Sequence, residues 1–299
     1  MRRFGSFRSA PKVTAKVAPQ PTSQGLPTVG QTLNVSGLTK TFSHVFTEAP
    51  DIWHPTLNPG GKFKSTFINE ARTKPEERSL YVDKYVGHDP FGYDATERAA
   101  YIEARPLSSD IQAKLTIPFD ASVTPIVTGL LSTERCFTQQ LGYFGIRAKV
   151  AKGATGIWSA LWRTGSRWPP EDDMCEVGAN DTTKHTFGAH DGDSNADYSV
   201  SNYQHIGENG GPFEDKSLDV GLDYHEFGVL RTEQGAAFIR DGKVLRIAPR
   251  FTGNFSTIPL WMIASLQVGT TATDSWLGAL NTSMSPARLY LREFTAYRL

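Results

Sequence analysis

Glu171, Asp172, Asp173 and Glu176 place four carboxylates within six positions of one stretch, RWPPEDDMCEVGAN, residues 167–180. Side chains on a β-strand alternate between faces, so Glu171 and Asp173 share a face and strict alternation sends Glu176 to the other. One extra residue, a β-bulge at Met174-Cys175, returns Glu176 to the face of Glu171 and Asp173. The bulged span then separates the outer Cα atoms by roughly 13 Å, at about 3.3 Å per residue. Two glutamates leaning inward bring their carboxyls to ~5–6 Å, near the ~5–5.5 Å of a retaining glycosidase. In that chemistry one carboxylate attacks the anomeric carbon. The other protonates the leaving oxygen and then activates water. Asp173 between them can bond the nucleophile and keep the acid protonated by like-charge coupling. A solvated edge or a cation site is the plainer reading of such a cluster. Its flanks count against a solvated edge, because GIWSALWRTGSRW carries three tryptophans immediately upstream. Trp158, Ala160 and Trp162 fall on one strand face, either as a platform for sugar rings or as core.

The elements that must position these groups read as strands. Residues 79–86, 99–107, 124–132, 143–150, 156–164, 225–233, 259–268 and 288–299 are short, rich in β-branched and aromatic residues, and bounded by turn residues. Asp241-Gly242 lies between two apolar runs, the signature of a tight hairpin. A short helix is expected near 67–78, interrupted by Pro75. Long loops are expected at 51–78 and 188–222, where function tends to concentrate. Many strands without helical alternation predict an all-β sandwich or barrel.

Bulk properties narrow the function classes. The 299 residues carry 31 basic and 31 acidic side chains, so no general electrostatic attraction to nucleic acid or an anionic membrane is expected. No apolar run is long enough for a membrane span. Cys136 and Cys175 are too few for a disulfide framework and are expected as buried free thiols. Residues 1–30 are basic, rich in Ser, Pro and Thr, and lack the apolar stretch of a secretory signal. They are expected to form a disordered tail before a single domain over 31–299. The localisation stays open: the substrate chemistry suggests action outside the cell, while no signal is recognisable. DGDSNAD (191–197) offers alternating oxygens but lacks the Gly and Glu of a calcium loop. The histidines lack zinc spacing, and neither a Gly-x-Ser-x-Gly elbow nor a phosphate loop occurs.

The ordered motifs resemble glycoside hydrolase family 16, the laminarinase-like endo-β-glycanases. Glu171-Asp172-Asp173-Met174-Cys175-Glu176 is similar to the family's Glu-x-Asp-x-x-Glu on a bulged strand. YFGIRAKVAKGATGIWSALWRTGSRWP resembles its Gly-Tyr-Phe strand, Lys-Gly turn, Trp-x-Ala-x-Trp strand and Trp-Pro. HTFGAH, HEFGVLRTE, the Asp-Gly hairpin, PLWMIASLQVG, Trp276 and the last strand follow in the family's order. The resemblance covers roughly 31–299, most fully 124–298. It implies a β-jelly roll of two curved antiparallel sheets with a concave substrate cleft. It implies Glu171 as nucleophile, Glu176 as acid/base and Asp173 as the assisting residue. The reaction would be endo-hydrolysis of a β-linked polysaccharide with retention: a β-1,3- or β-1,3-1,4-glucan, or a related bacterial exopolysaccharide. Trp162, Trp168 and Trp276 match cleft aromatics, and His190 matches a histidine near the acid/base. No cofactor is required, a structural calcium fits the family, and the chain is expected to act as a monomer.

Two positions depart from the pattern. Asp172 stands where an apolar residue points between the sheets, so a nearby Arg, Lys or hydroxyl partner, or local exposure, is required. Pro170 replaces a small residue, which puts the strand's first residue at Glu171. Two other function classes stay open: a non-catalytic carbohydrate-binding module, whose usual mark is loss of a catalytic Glu, and a virion or cell-surface structural protein on the same fold.

Overall fold

The computed structural model describes residues 25–67, 70–74, 77–194, 200–208, 211–249, 257–270 and 274–299. Seventeen strands run through the described residues. In chain order the first nine are β1 (Thr39–Val45), β2 (Ser79–Tyr81), β3 (Phe91–Asp94), β4 (Ala99–Pro106), β5 (Ile126–Thr128), β6 (Leu130–Ser132), β7 (Gly142–Lys149), β8 (Ile157–Gly165) and β9 (Glu171–Gly178). The rest are β10 (His185–Ser194), β11 (Val200–Ile206), β12 (Phe213–Asp215), β13 (His225–Thr232), β14 (Gly235–Arg240), β15 (Lys243–Pro249), β16 (Leu260–Val268) and β17 (Ala287–Arg298). Two four-residue helices, Ser109–Gln112 and Asp274–Leu277, and a 3₁₀ turn at Lys84–Val86 complete the described elements. None of the described helices is long and apolar enough to cross a membrane.

The strands form two sheets. A ten-stranded sheet runs β15, β14, β13, β7, β17, β4, β5, β2, with β1 on β17 and β3 on β4. A seven-stranded sheet runs β11, β10, β9, β8, β16, β6, with β12 on β10. Apart from the parallel pair β2 and β5, the described pairings are antiparallel. This is the all-β jelly-roll sandwich expected from the sequence.

The alternation of β8 explains how one strand serves two faces. Ile157 and Leu161 join the main core, with Phe144 and Ile146 of β7, Phe227 and Val229 of β13, and Phe294 of β17. Trp158, Ala160 and Trp162 point the other way and cluster with Trp261, Ile263, Tyr81 and Leu130. Every residue of β8 is buried, because both of its faces are covered. The Asp241-Gly242 hairpin joins β14 to β15 with φ of 50° and 76°, the doubly positive turn that matches strand twist.

Several expectations change. Among the described residues of 67–78 there is no helix; residues 68, 69, 75 and 76 lie outside the description. The expected 188–222 loop instead contains the end of β10, with β11 and β12. β11 reads as loop in the sequence because it pairs on one side and is largely exposed, so it carries few apolar residues. Cys175 is a buried free thiol, but Cys136 is exposed, since it sits in the turn that closes on Thr133. Residues 1–24 of the expected tail lie outside the description, as do 195–197 of the calcium-like loop. Farther on, Gly30 N–H donates to Val244 O at 2.8 Å and Leu33 N–H to Gly242 O at 2.7 Å, which lays this segment along β15.

Candidate active site

The strand β9 begins at Glu171, directly after Pro170, as the ring's missing N–H favours. Trp168-Pro169 and Pro169-Pro170 are both cis. Against β8, Leu161 faces Cys175 and Trp162 faces Asp173, so Met174 is the extra residue of a bulge. Against β10, Thr186 faces Glu176 and Gly188 faces Asp173, which sets Met174 and Cys175 opposite Phe187 alone. The bulge is therefore where the carboxylate spacing requires it. Its backbone is secured from β10: His185 Nε2 lies 3.2 Å from the Met174 carbonyl, and Thr186 Oγ1 donates to the Glu176 carbonyl at 3.0 Å. His185 is buried, and that burial pushes its pKa down to about 4, so the ring is neutral and its Nε2–H can donate.

The bulge delivers Glu171, Asp173 and Glu176 into one cavity of about 550 Å³. Trp162, His190 and Trp276 line it too, as do Lys74, Lys184, His205 and Gln267. Trp162 is fixed by its indole N–H, which donates to Ser265 Oγ at 3.1 Å. Trp158 is 7% exposed and sits against Trp276, with ring centroids 5.9 Å apart; it is not in the cavity lining. Trp168 is also outside that lining and stands exposed beside Tyr203, at 5.3 Å between centroids.

His190 sits by the other end of the carboxylate row from the one expected. Its backbone pairs with Glu171, and its Nε2 lies 3.1 Å from Asp173 and 3.8 Å from Glu171. The register decides this, because Glu176 pairs with Thr186, four positions along β10 from His190. His190 Nδ1 hydrogen-bonds with the Tyr203 hydroxyl at 2.7 Å, and His205 stacks on its ring at 4.2 Å. Gly188 leaves room for that stack: a Cβ there would lie 2.9 Å from His205 Nε2. Glu171, Asp173 and His190 also offer ligand atoms within 4.8 Å of one another, a spacing a cation could use.

Burial and mutual repulsion shift all three carboxylates. Burial, then the charge of Asp173, raises Glu171 to about 8 and Glu176 to about 8. Burial and the charge of Asp172 raise Asp173 to about 7. Lys74 opposes each shift, and His190 opposes those of the two glutamates. The Lys74 ammonium lies 4.9 Å from the Trp162 ring centre and 3.4 Å from Glu77. The row thus holds protons at neutral pH and shares them as a coupled set. Sequence reasoning missed Lys74, His185, Tyr203 and His205. Lys74 comes from an irregular segment, and the histidines are placed by pairings that no local pattern encodes.

Asp172 points the other way, into the core, and is wholly buried. Arg163 Nη2 donates to its Oδ2 at 2.9 Å and Arg231 Nη1 donates to the same oxygen at 2.8 Å. The partner its burial demanded is thus an arginine pair.

No protein-family model matches the chain. Two relatives come from Rhizobium meliloti (strain 1021). Endo-1,3-1,4-beta-glycanase EglC is 26% identical over 203 residues, 66% of this chain and 39% of that protein. Endo-1,3-1,4-beta-glycanase ExsH is 28% identical over 170 residues, 56% of this chain and 32% of that protein. The chain thus spans well under half the length of these relatives. Among solved structures, a mutant of SCLam, a non-specific endo-beta-1,3(4)-glucanase from family GH16, superposes with a TM-score of 0.66 at 18% identity, covering 88% of this chain and 96% of that one. The catalytic domain of an endo-1,3-beta-glucanase (laminarinase) from Thermotoga petrophila RKU-1 gives 0.60 at 22% identity, covering 87% and 98%. The fold of this chain is that of the glycoside hydrolase family 16 glucanases.

Proposed function

We propose that the chain is a glycoside hydrolase, an endo-β-glycanase that cleaves β-1,3- or mixed β-1,3-1,4-linked glucan, or a related exopolysaccharide, with retention. The observation that carries this reading is the bulge at Met174-Cys175, which brings Glu171, Asp173 and Glu176 into one cavity walled by Trp162 and Trp276. The fold and the two R. meliloti glycanases point the same way.

Both glutamates are raised to about 8, so their positions, not their titration, divide the roles. Glu171, with His190 Nε2 at 3.8 Å, is the nucleophile and reacts from the ionised form it takes when its neighbours in the coupled row hold the protons. Glu176 stands at the far side of Asp173, and burial with that charge raises it to about 8. It therefore keeps its proton at neutral pH for the leaving oxygen, then accepts one from water. Asp173 couples the two, its charge raising both neighbours. Indole faces at Trp162 and Trp276 offer apolar platforms for sugar rings, and Gln267 offers an amide for hydroxyls.

The test is the release of new reducing ends from laminarin and mixed-linkage β-glucan, with NMR of the first-formed anomer. Retained β-anomer with internal cleavage is expected. The α-anomer appearing first refutes the double displacement, and saccharide binding with no new reducing ends refutes the enzyme reading.

A further inference from the structure

Asp172 and its two arginines raise a question that catalysis by Glu171, Asp173 and Glu176 leaves unanswered. Arg163 stands on β8 directly opposite Asp172 in the register of the seven-stranded sheet. Arg231 comes from β13, in the other sheet. All three side chains are fully buried. Both guanidinium groups converge on Oδ2, while Oδ1 and the Nε and Nη1 of Arg163 have no hydrogen-bond partner among the described residues. The Arg163 guanidinium lies 3.5 Å from the ring centre of Phe144, on β7 of the facing sheet.

Stability does not account for it. Buried ion pairs recover their desolvation cost only with excellent geometry and every remaining polar atom satisfied, and apolar residues of equal volume do as well or better. Here Asp172 Oδ1 and the Arg163 Nε and Nη1 are left over among the described residues. What the bridge does have is direction and place. It ties β9 sideways to β8 and across the core to β13, at the residue between Glu171 and Asp173 and two positions before the bulge. On an alternating strand, fixing where Asp172 points fixes where both neighbours point, into the cleft. An apolar side chain at 172 would pack without fixing the strand so sharply.

We propose that the buried Arg163, Asp172 and Arg231 bridge is a positioning device that sets the register and side-chain direction of the strand bearing Glu171 and Asp173. It rests on the function proposed above for those carboxylates. Asp172 touches no substrate and acts through its neighbours on β9.

The decisive variant removes all charge at once: Asp172→Leu with Arg163→Met and Arg231→Leu. Single removals leave an uncompensated buried charge and conflate folding with function. The triple variant is expected to melt at or above the wild-type temperature. Its kcat on β-glucan should fall at least tenfold, with KM within about twofold. A second readout needs no turnover: carboxyl NMR titration of Glu171 and Glu176. The groups that act directly on these two are Asp173, His190, Lys74 and a neighbouring tryptophan, and none of them is removed. Deleting the Asp172 charge lets Asp173 ionise at lower pH, which by its charge would raise both glutamates. A fall in the Glu171 titration by a unit or more therefore reports a moved side chain, not the deleted charge. Wild-type kcat together with wild-type titration in the folded variant overturns the proposal. If the triple variant does not fold, Arg231→Lys, which keeps the charge but not the fork, decides by the same two readouts. Wild-type protein inactive on every β-glucan would sink the proposed function, while the titration would still decide the bridge.

Discussion

The carboxylate row crowds two glutamates and an aspartate until burial and mutual repulsion raise all three. Glu171 and Glu176 are both raised to about 8, and the charge of Asp173 contributes to both. On the proposed mechanism, Glu171→Gln and Glu176→Gln should each lower kcat on β-glucan by about 10³ or more, the loss of ~4 kcal/mol of transition-state stabilisation. Circular dichroism should show the fold intact. Asp173→Asn removes the charge that raises Glu176, so the acid loses its proton at lower pH. The alkaline limb of kcat/KM, expected near about 8 in the wild type, should then move to lower pH. An unmoved limb would assign it to another group. At this scale the sequence was legible where a residue broke a pattern. Asp172 in an apolar position demanded a partner, and the structure supplies Arg163 and Arg231. Arg163 belongs to the adjoining strand, but Arg231 reaches across from the other sheet, a contact that no local spacing encodes.

The bulge is the element on which the site depends, and β10 holds it open. Met174 is the surplus residue, so its carbonyl falls out of the regular ladder. His185 meets it from β10, and Thr186 meets the carbonyl of Glu176. Replacing His185 by Ala leaves a buried carbonyl without its donor and opens a cavity beside Phe187 and Phe227, whose rings flank the imidazole. A loss of roughly 2–4 kcal/mol is expected. Thr186→Val should cost only about 1 kcal/mol, because its shape is kept and one hydrogen bond goes. Chemical denaturation measures both, and on the proposed function kcat should follow the same order, since the bulge returns Glu176 to the face of Glu171 and Asp173. Equal stability in His185→Ala and wild type would remove His185 from this role. The bulge was legible because three carboxylates can share a face only with one surplus residue. β11 and β12 were not, since edge strands with exposed polar faces carry the composition of loops. The short helix expected near 67–78 failed for a related reason: Phe67 packs on the cluster of Tyr81, Trp158 and Trp162, and its N–H donates to the Ala71 carbonyl in a turn rather than a helical ladder.

Across the whole molecule, two sets of groups pull stability in opposite directions with pH. Glu171, Asp173 and Glu176 titrate higher in the folded protein, at about 8, 7 and 8, than their ordinary values of 4.5, 3.8 and 4.5. The unfolded chain releases these protons first, so folding loses free energy as pH rises from about 4 to 8. His185 and His205 are depressed to about 4 from 6.5. The unfolded chain binds their protons first, so folding loses free energy as pH falls from about 6.5 to 4. The windows overlap from about pH 4 to 6.5, where three carboxylates outweigh two imidazoles, so the melting temperature should fall gently from about pH 5 and steeply above about 6.5, where the histidines no longer offset the row. The alkaline descent comes from the cleft carboxylates themselves, so Glu171→Gln should flatten it. That variant should gain about 1–3 kcal/mol at pH 8, less than the full shift implies because the side chain is 17% exposed and shares its repulsion with Asp173. It should gain nothing below about pH 4.5, where the glutamate is protonated in both states. Calorimetry across pH 4–9 measures both curves. If the two descend in parallel above pH 6, the cleft carboxylates are not what the fold is working against at neutral pH. If the curves converge only in acid, the same strained row that equips Glu176 to donate a proton is a main source of instability in the sandwich that holds it.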